Sequence, residues 1–72
     1  MIVYKLILVQ SIEWEGEVLY EISKNEDVNF ALEERDNLNK MIELDKKILI
    51  DFIDSKFCNE NEYWFYVEVD NE

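Results

Sequence analysis

At 72 residues the chain is a single domain near the small end of what folds alone, and with 49% hydrophobic residues it has enough apolar side chain for a core. Its 18 acidic against 7 basic residues give a formal net charge of −11, which argues against direct nucleic-acid or membrane binding and for partners with basic surfaces. One cysteine, Cys58, excludes an intrachain disulfide, and with no histidine neither a structural zinc site nor a cofactor is expected, so packing within one subunit or shared with a second must supply stability.

Residues 2–10 form an apolar run broken only by Tyr4 and Lys5, and its length and β-branching predict a strand apolar on both faces. The opening "MIVYKLILVQ" lacks a basic leader and a small-residue cleavage site and is too short to span a bilayer, so a cytoplasmic location is expected. Residues 17–22, "EVLYEI", read as a second strand, with Gly16 marking the hairpin turn. Sidedness favours a register in which Trp14 faces Val18, Ile12 faces Tyr20 and Gln10 faces Ile22. One face then carries Leu6, Leu8, Ile12, Trp14, Val18, Tyr20 and Ile22. The other carries Ile7, Val9 and Leu19 at its centre, with Glu13 and Glu21 nearer its ends.

"SKNE", residues 23–26, is a capping-box pattern that predicts a helix from about Asn25. Ala31, Leu38, Ile42, Leu49 and Ile53 keep a helical stripe. Unbroken to Ser55, that helix would be about 45 Å long, against strands of ~30 Å. It is therefore expected to overhang, kink or split near residues 44–47. A strand through Ile48, Ile50 and Phe52 is the alternative, so the path of residues 42–61 stays open. "YWFYVEVD", residues 63–70, closes the chain as a strand, with Tyr63, Phe65, Val67 and Val69 on one face and Trp64, Tyr66, Glu68 and Asp70 on the other. The predicted fold is α+β: a small three-stranded, mostly antiparallel sheet in ββαβ order, with one long or broken helix packed on one face.

The opening "YKLILVQ" hairpin, the "S-x-x-E-D" helix start, the later "LN" and the closing "YWFYVEV" strand together resemble small uncharacterised phage and prophage ββαβ proteins. The likeness covers most of the chain, but the segment from Ile42 to Asn61 is longer than the helix such proteins place there. The resemblance implies a phage or mobile-element origin and transfers no active site. The excess of Ile, Asn, Lys and Glu, with no proline or threonine, fits an AT-rich genome.

Catalytic chemistry has few carriers. Ser11, Ser23 and Ser55 lack an activating partner in the local sequence, and Cys58 has Lys56 nearby but no histidine. Gly16 is alone, so there is no phosphate-cradling loop. Asp51 and Asp54, three apart, and the alternating Glu13, Glu15 and Glu17 do not match a calcium loop. The expectation is a non-enzyme without a metal.

Charge is more informative. No basic residue lies between Lys5 and Lys24 or after Lys56, and those stretches hold Glu13, Glu15, Glu17, Glu21, Glu60, Glu62, Glu68, Asp70 and Glu72, half of the 18 acids. A solvated face that protects sheet edges is one reading. The sharper one is mimicry of nucleic acid, because alternate strand residues stand about 7 Å apart, close to two nucleotide steps of ~3.4 Å. Both sheet faces are apolar while one helical layer covers only one. An exposed set of Ile7, Val9, Leu19 and Trp64 or Tyr66 is therefore expected, to be met by a homodimer or by a partner that takes an aromatic anchor.

The sequence therefore points to a small acidic, non-enzymatic protein-binding module. In its concrete form it is a phage-type anti-CRISPR or anti-restriction inhibitor occupying the basic nucleic-acid-binding surface of a host protein. Its expected partner-binding residues are Glu13, Trp14, Glu15, Glu17, Glu21, Glu60, Glu62, Trp64, Tyr66, Glu68 and Asp70. The alternative is a homodimeric structural or accessory protein whose acidity serves only solubility.

Overall fold

An antiparallel sheet of order β2-β1-β3 carries a helical layer on one face, in a computed structural model that describes residues 1–53 and 56–71. The α+β reading in ββαβ order holds. Asp54, Ser55 and Glu72, which entered the sequence reading as a metal-pair carboxylate, a nucleophile and an acid, lie outside the described residues. The most apolar segment takes the middle position. Strand β1, Ile2–Ile12, pairs with β2, Gly16–Asn25, on one side and β3, Glu62–Asn71, on the other. A central strand has neighbours on both edges and both faces shielded, which is where a continuous run of aliphatic residues is most stable.

The hairpin register differs from the expected one. Gln10 lies opposite Val18, four residues earlier in β2 than Ile22, and Leu8 lies opposite Tyr20. The turn is tighter than anticipated: Ile12 pairs with Gly16, and only residues 13–15 lie between the strands. A shift by an even number leaves every side chain on its original face. Leu6, Leu8, Ile12, Val18 and Tyr20 therefore stay together, and only Trp14 leaves the set, for the turn. Strand β2 also runs past residue 22. A bulge between the pairs Ile7–Glu21 and Leu6–Ser23 lets both Ile22 and Ser23 turn toward the helical layer. Ile22 packs against the core, and the Ser23 hydroxyl donates to Glu34 at 2.9 Å.

Ser23 is thus a strand residue, and the expected cap at residues 23–26 is not used. The helix α1, Val28–Leu44, is capped instead by Asp27, whose carboxylate accepts from the Asn29 and Phe30 N–H groups. It ends at Asp45, which is extended at φ −153°, donates its N–H to Met41 C=O and accepts from Lys47 N–H with its carboxylate. One aspartate closes one helix and caps the next turn. The chain then takes a 3-10 turn, Lys46–Leu49, and a short helix α2, Ile50–Ile53, so the long helix splits within the expected window and the strand through Ile48 and Phe52 does not form.

The split folds the second half of the stripe back over the sheet. Leu49 and Ile53 meet Leu6, Leu8, Tyr63 and Phe65 in one buried cluster, flanked by Leu38, Ile42, Phe57 and Val67. Phe52 meets the Phe65 ring edge-on at 5.8 Å. Burying each aliphatic side chain of this cluster contributes about 1.5–3 kcal/mol.

Candidate functional site

Three consecutive residues make the hairpin tip. The Glu15 N–H donates to Ile12 C=O at 3.1 Å, closing a four-residue turn with Glu13 and Trp14 at its centre. Trp14 takes φ +70°, a left-handed conformation that a bulky side chain adopts at a cost of about 1–2 kcal/mol. Its side chain gains no packing in return, being 96% exposed. Gly16, at φ +101°, absorbs the next sharp bend.

The loop that carries Glu60 is anchored beside this tip by a buried polar network. Gln10 is 3% exposed. Its amide nitrogen donates to Lys56 C=O at 2.9 Å and to the Tyr63 hydroxyl at 3.1 Å, while its oxygen accepts from the Tyr20 hydroxyl at 2.8 Å. Tyr63 Oη in turn accepts from Cys58 N–H and donates to Cys58 C=O. Lys46 Nζ donates to Asn59 and Asn61 C=O. Every hydrogen-bonding group of the Gln10 amide and the Tyr63 hydroxyl is used, so the network is a rigid strut.

The expected partner-binding residues therefore fall into separate groups. Glu13, Glu60 and Glu62 line a shallow depression of about 270 Å³ with Ser11, and Glu17 and Glu62 lie opposite Ser11 on its two sides. With Glu15 these make five glutamates at the hairpin end, and none enters an ion pair among the described residues. Glu21, Glu68 and Asp70 lie toward the other end of the same face. Between the two groups runs an apolar belt, with Val9 flanked by Leu19 and Trp64, and Ile7 opposite Tyr66.

Two expectations change here. Glu13, Glu15 and Glu17 do not form a row at strand spacing, because Glu13 and Glu15 sit in the turn. The face opposite the helices is also less apolar than anticipated. Ile7 and Val9 are only 5% and 2% exposed, sheltered by their cross-strand neighbours, and Leu19 and Trp64 remain as its open apolar residues.

Lys5 is the residue the sequence reading passed over. It lies in the middle of the second acidic group, with Nζ 2.8 Å from Asp70 and 3.3 Å from Glu21. The hydrogen bond that Lys5 donates to Asp70, then the one it donates to Glu21, raises the ammonium to about 12. Lys5 holds the Asp70 carboxyl below its ordinary value. A lone lysine inside an apolar strand was the available signal. Of the expected site residues, Glu21 and Asp70 are thus already engaged within the molecule, and the unpaired negative charge concentrates at the hairpin end. On the helical side of that end stand Lys46 and Lys56, each near an aromatic ring, Tyr63 and Tyr20 respectively.

A second, larger opening of about 490 Å³ lies between β2 and the anchored loop, lined by Ile12, Glu15, Val18, Tyr20, Lys56 and Cys58 among others. Among the described residues no group of three or more acidic or cysteine side chains could hold a metal ion, and no helix is long and apolar enough to cross a membrane. The hairpin end presents exposed carboxylates, an exposed indole and a strand edge. The chain matches no protein-family model, and neither the curated proteins nor the solved structures include a match to it.

Proposed function

We propose that the protein is a non-enzymatic binding module whose hairpin end occupies the basic, nucleic-acid-binding surface of another protein, as a phage-encoded anti-defence inhibitor would. The observation that carries this reading is Trp14, fully exposed on a strained turn among five unpaired glutamates. An indole held this way costs stability at its own site and contributes to no core. It suits an interface anchor, because a rigid aromatic loses little entropy on docking and presents its face to arginine or lysine. The surrounding carboxylates would steer a basic partner and replace the phosphates it normally holds. The mimicry is of a cluster of phosphates and not of an extended backbone, since the glutamates gather at one end.

Tagged protein incubated with bacterial lysate and washed at rising salt tests the reading. Recovery of a basic nucleic-acid-binding protein, released by salt and stripped of its nucleic acid, is the expected result, and the triple variant E13K/E15K/E17K recovers none. Recovery of the protein alone, indifferent to salt, overturns it in favour of a homodimer. That second reading rests on Leu19 and Trp64, the open apolar residues of the uncovered face.

A further inference from the structure

The two outer strands of the sheet have unlike edges. On β3, the Asn39 side chain of α1 binds the Phe65 backbone twice: Nδ2 donates to Phe65 C=O at 3.1 Å, and Phe65 N–H donates to Oδ1 at 2.8 Å. Phe65 therefore turns its peptide groups away from β1, and that edge is blocked at its middle. The alternation of an antiparallel ladder fixes the rest. Leu8, opposite Phe65, directs its peptide groups to Tyr20 on β2. Tyr20 and Val18 then point inward, and Glu17, Leu19 and Glu21 point their N–H and C=O groups out of the sheet. Among the described residues no hydrogen bond satisfies those outward groups.

We infer that the free edge of β2 from Glu17 to Glu21 is a strand-addition site for an extended cationic segment of a partner protein. This deepens the proposed function and rests on its basic partner, though not on mimicry. Charge selects the occupant. A second copy pairing antiparallel about Leu19 would set Glu17 against Glu21 twice, like charges directly opposite, which disfavours self-pairing. A partner with arginine or lysine at those two positions turns both clashes into cross-strand ion pairs. The Glu17 carboxylate has no ion-pair partner among the described residues, and Glu21 is 3.3 Å from Lys5 through one carboxylate oxygen and 45% exposed.

The pleat specifies the remaining positions. Added residues opposite Glu17, Leu19 and Glu21 share the open face, so they read cation, apolar, cation at every second place. The two residues between them turn toward Val18 and Tyr20, where the cleft of about 490 Å³ accepts apolar side chains. The bulge at Ile22 and Ser23 ends the regular edge on one side, and the turn ends it on the other. A five-residue register results: Arg/Lys, then three apolar residues, then Arg/Lys.

Two synthetic peptides test this, Arg-Val-Val-Val-Arg and its rearrangement Val-Arg-Val-Arg-Val, each flanked by neutral serines and titrated into the whole protein while amide exchange is followed by NMR. The first peptide is expected to slow exchange of the Glu17, Leu19 and Glu21 amides by about tenfold or more at saturation, and the rearranged peptide to bind at least about tenfold more weakly. The Glu17→Gln variant, which leaves internal pairing intact, should weaken the first peptide about threefold. Equal binding of both peptides without protection at those amides overturns strand addition and leaves the basic-partner reading standing. Binding of neither peptide, while the whole protein still strips nucleic acid from a captured partner, overturns strand addition alone. Failure of both experiments removes the two proposals together. Concentration-dependent protection of the same amides without peptide also overturns the inference, in favour of self-pairing.

Discussion

Asn39 stands to Phe65 as a neighbouring strand would: its one amide supplies both the acceptor and the donor that the Phe65 peptide groups require, at 2.8 and 3.1 Å. A helix side chain thereby completes the β3 edge where an eleventh-hour strand partner is lacking. Asn39→Ala leaves both half-buried peptide groups unpaired and is expected to cost about 1–3 kcal/mol. It should also release the edge for pairing between molecules. Denaturant midpoints check the first effect, and sedimentation at two concentrations checks the second; an unchanged midpoint would show that water satisfies Phe65 equally well.

Gln10 is the one buried polar side chain among the described residues and holds the loop of residues 56–61 to the sheet. Replacing it by leucine keeps the volume but strands the Tyr20 hydroxyl, the Tyr63 hydroxyl and Lys56 C=O short of a partner. A loss of about 2 kcal/mol is expected, with faster exchange of the Cys58 amide, which the same network protects. Tyr63→Phe should reproduce the loop loosening, because both of its bonds to Cys58 disappear.

Trp14 sets stability against recognition. Trp14→Gly relieves the left-handed backbone and forfeits no burial, so thermal unfolding should shift upward by an amount equivalent to up to about 1 kcal/mol, the relief being offset in part by the extra unfolded-state entropy of glycine. The same variant should lose partner capture. A variant that is more stable yet captures as before would place the anchor elsewhere, with Trp64 next in line.

The Lys5 cluster makes stability depend on pH at both ends. The Lys5 ammonium is raised from 10.5 to about 12, so its contribution is complete below 10.5 and is lost as pH climbs through the folded value. Asp70 is lowered from 3.8, so its share is complete above that value and is lost as pH falls through the lower folded one. Lys5→Met removes the cation and leaves Glu21, Glu68 and Asp70 facing one another. Its denaturation midpoint should fall below the parent's near pH 7, and the gap should narrow as pH falls below 3.8 through the lowered Asp70 value. A gap independent of pH would assign Lys5 a packing role instead.

Sidedness was largely legible along the chain. The alternation of Tyr63, Phe65, Val67 and Val69 and the stripe of Ala31, Leu38, Ile42, Leu49 and Ile53 named residues that are buried or half-buried except Val69, which is exposed near the strand's end, because period-two and period-3.6 patterns report directly on which face meets water. The hairpin register was not legible. Registers differing by an even number bury the same face, and the tighter turn wins by its own hydrogen bond from Glu15 to Ile12. The helix start was misplaced for a related reason: Ser23 and Asp27 are both good caps, and only the bulge, which carries β2 on to Asn25, decides between them.

What the sequence determined by itself is therefore the fold class, most of the inward-facing residues and the strong negative charge. These depend on composition and on spacing along one element. Tertiary structure alone decided that Lys5 neutralises Asp70 and Glu21, that Asn39 seals one edge while Glu17, Leu19 and Glu21 open the other, and that Glu60 and Glu62 gather with Glu13 and Glu17 at the hairpin end. Each is a relation between residues distant in the chain or turned by a single bend, and its energy depends on a separation of a few ångströms that no linear pattern encodes.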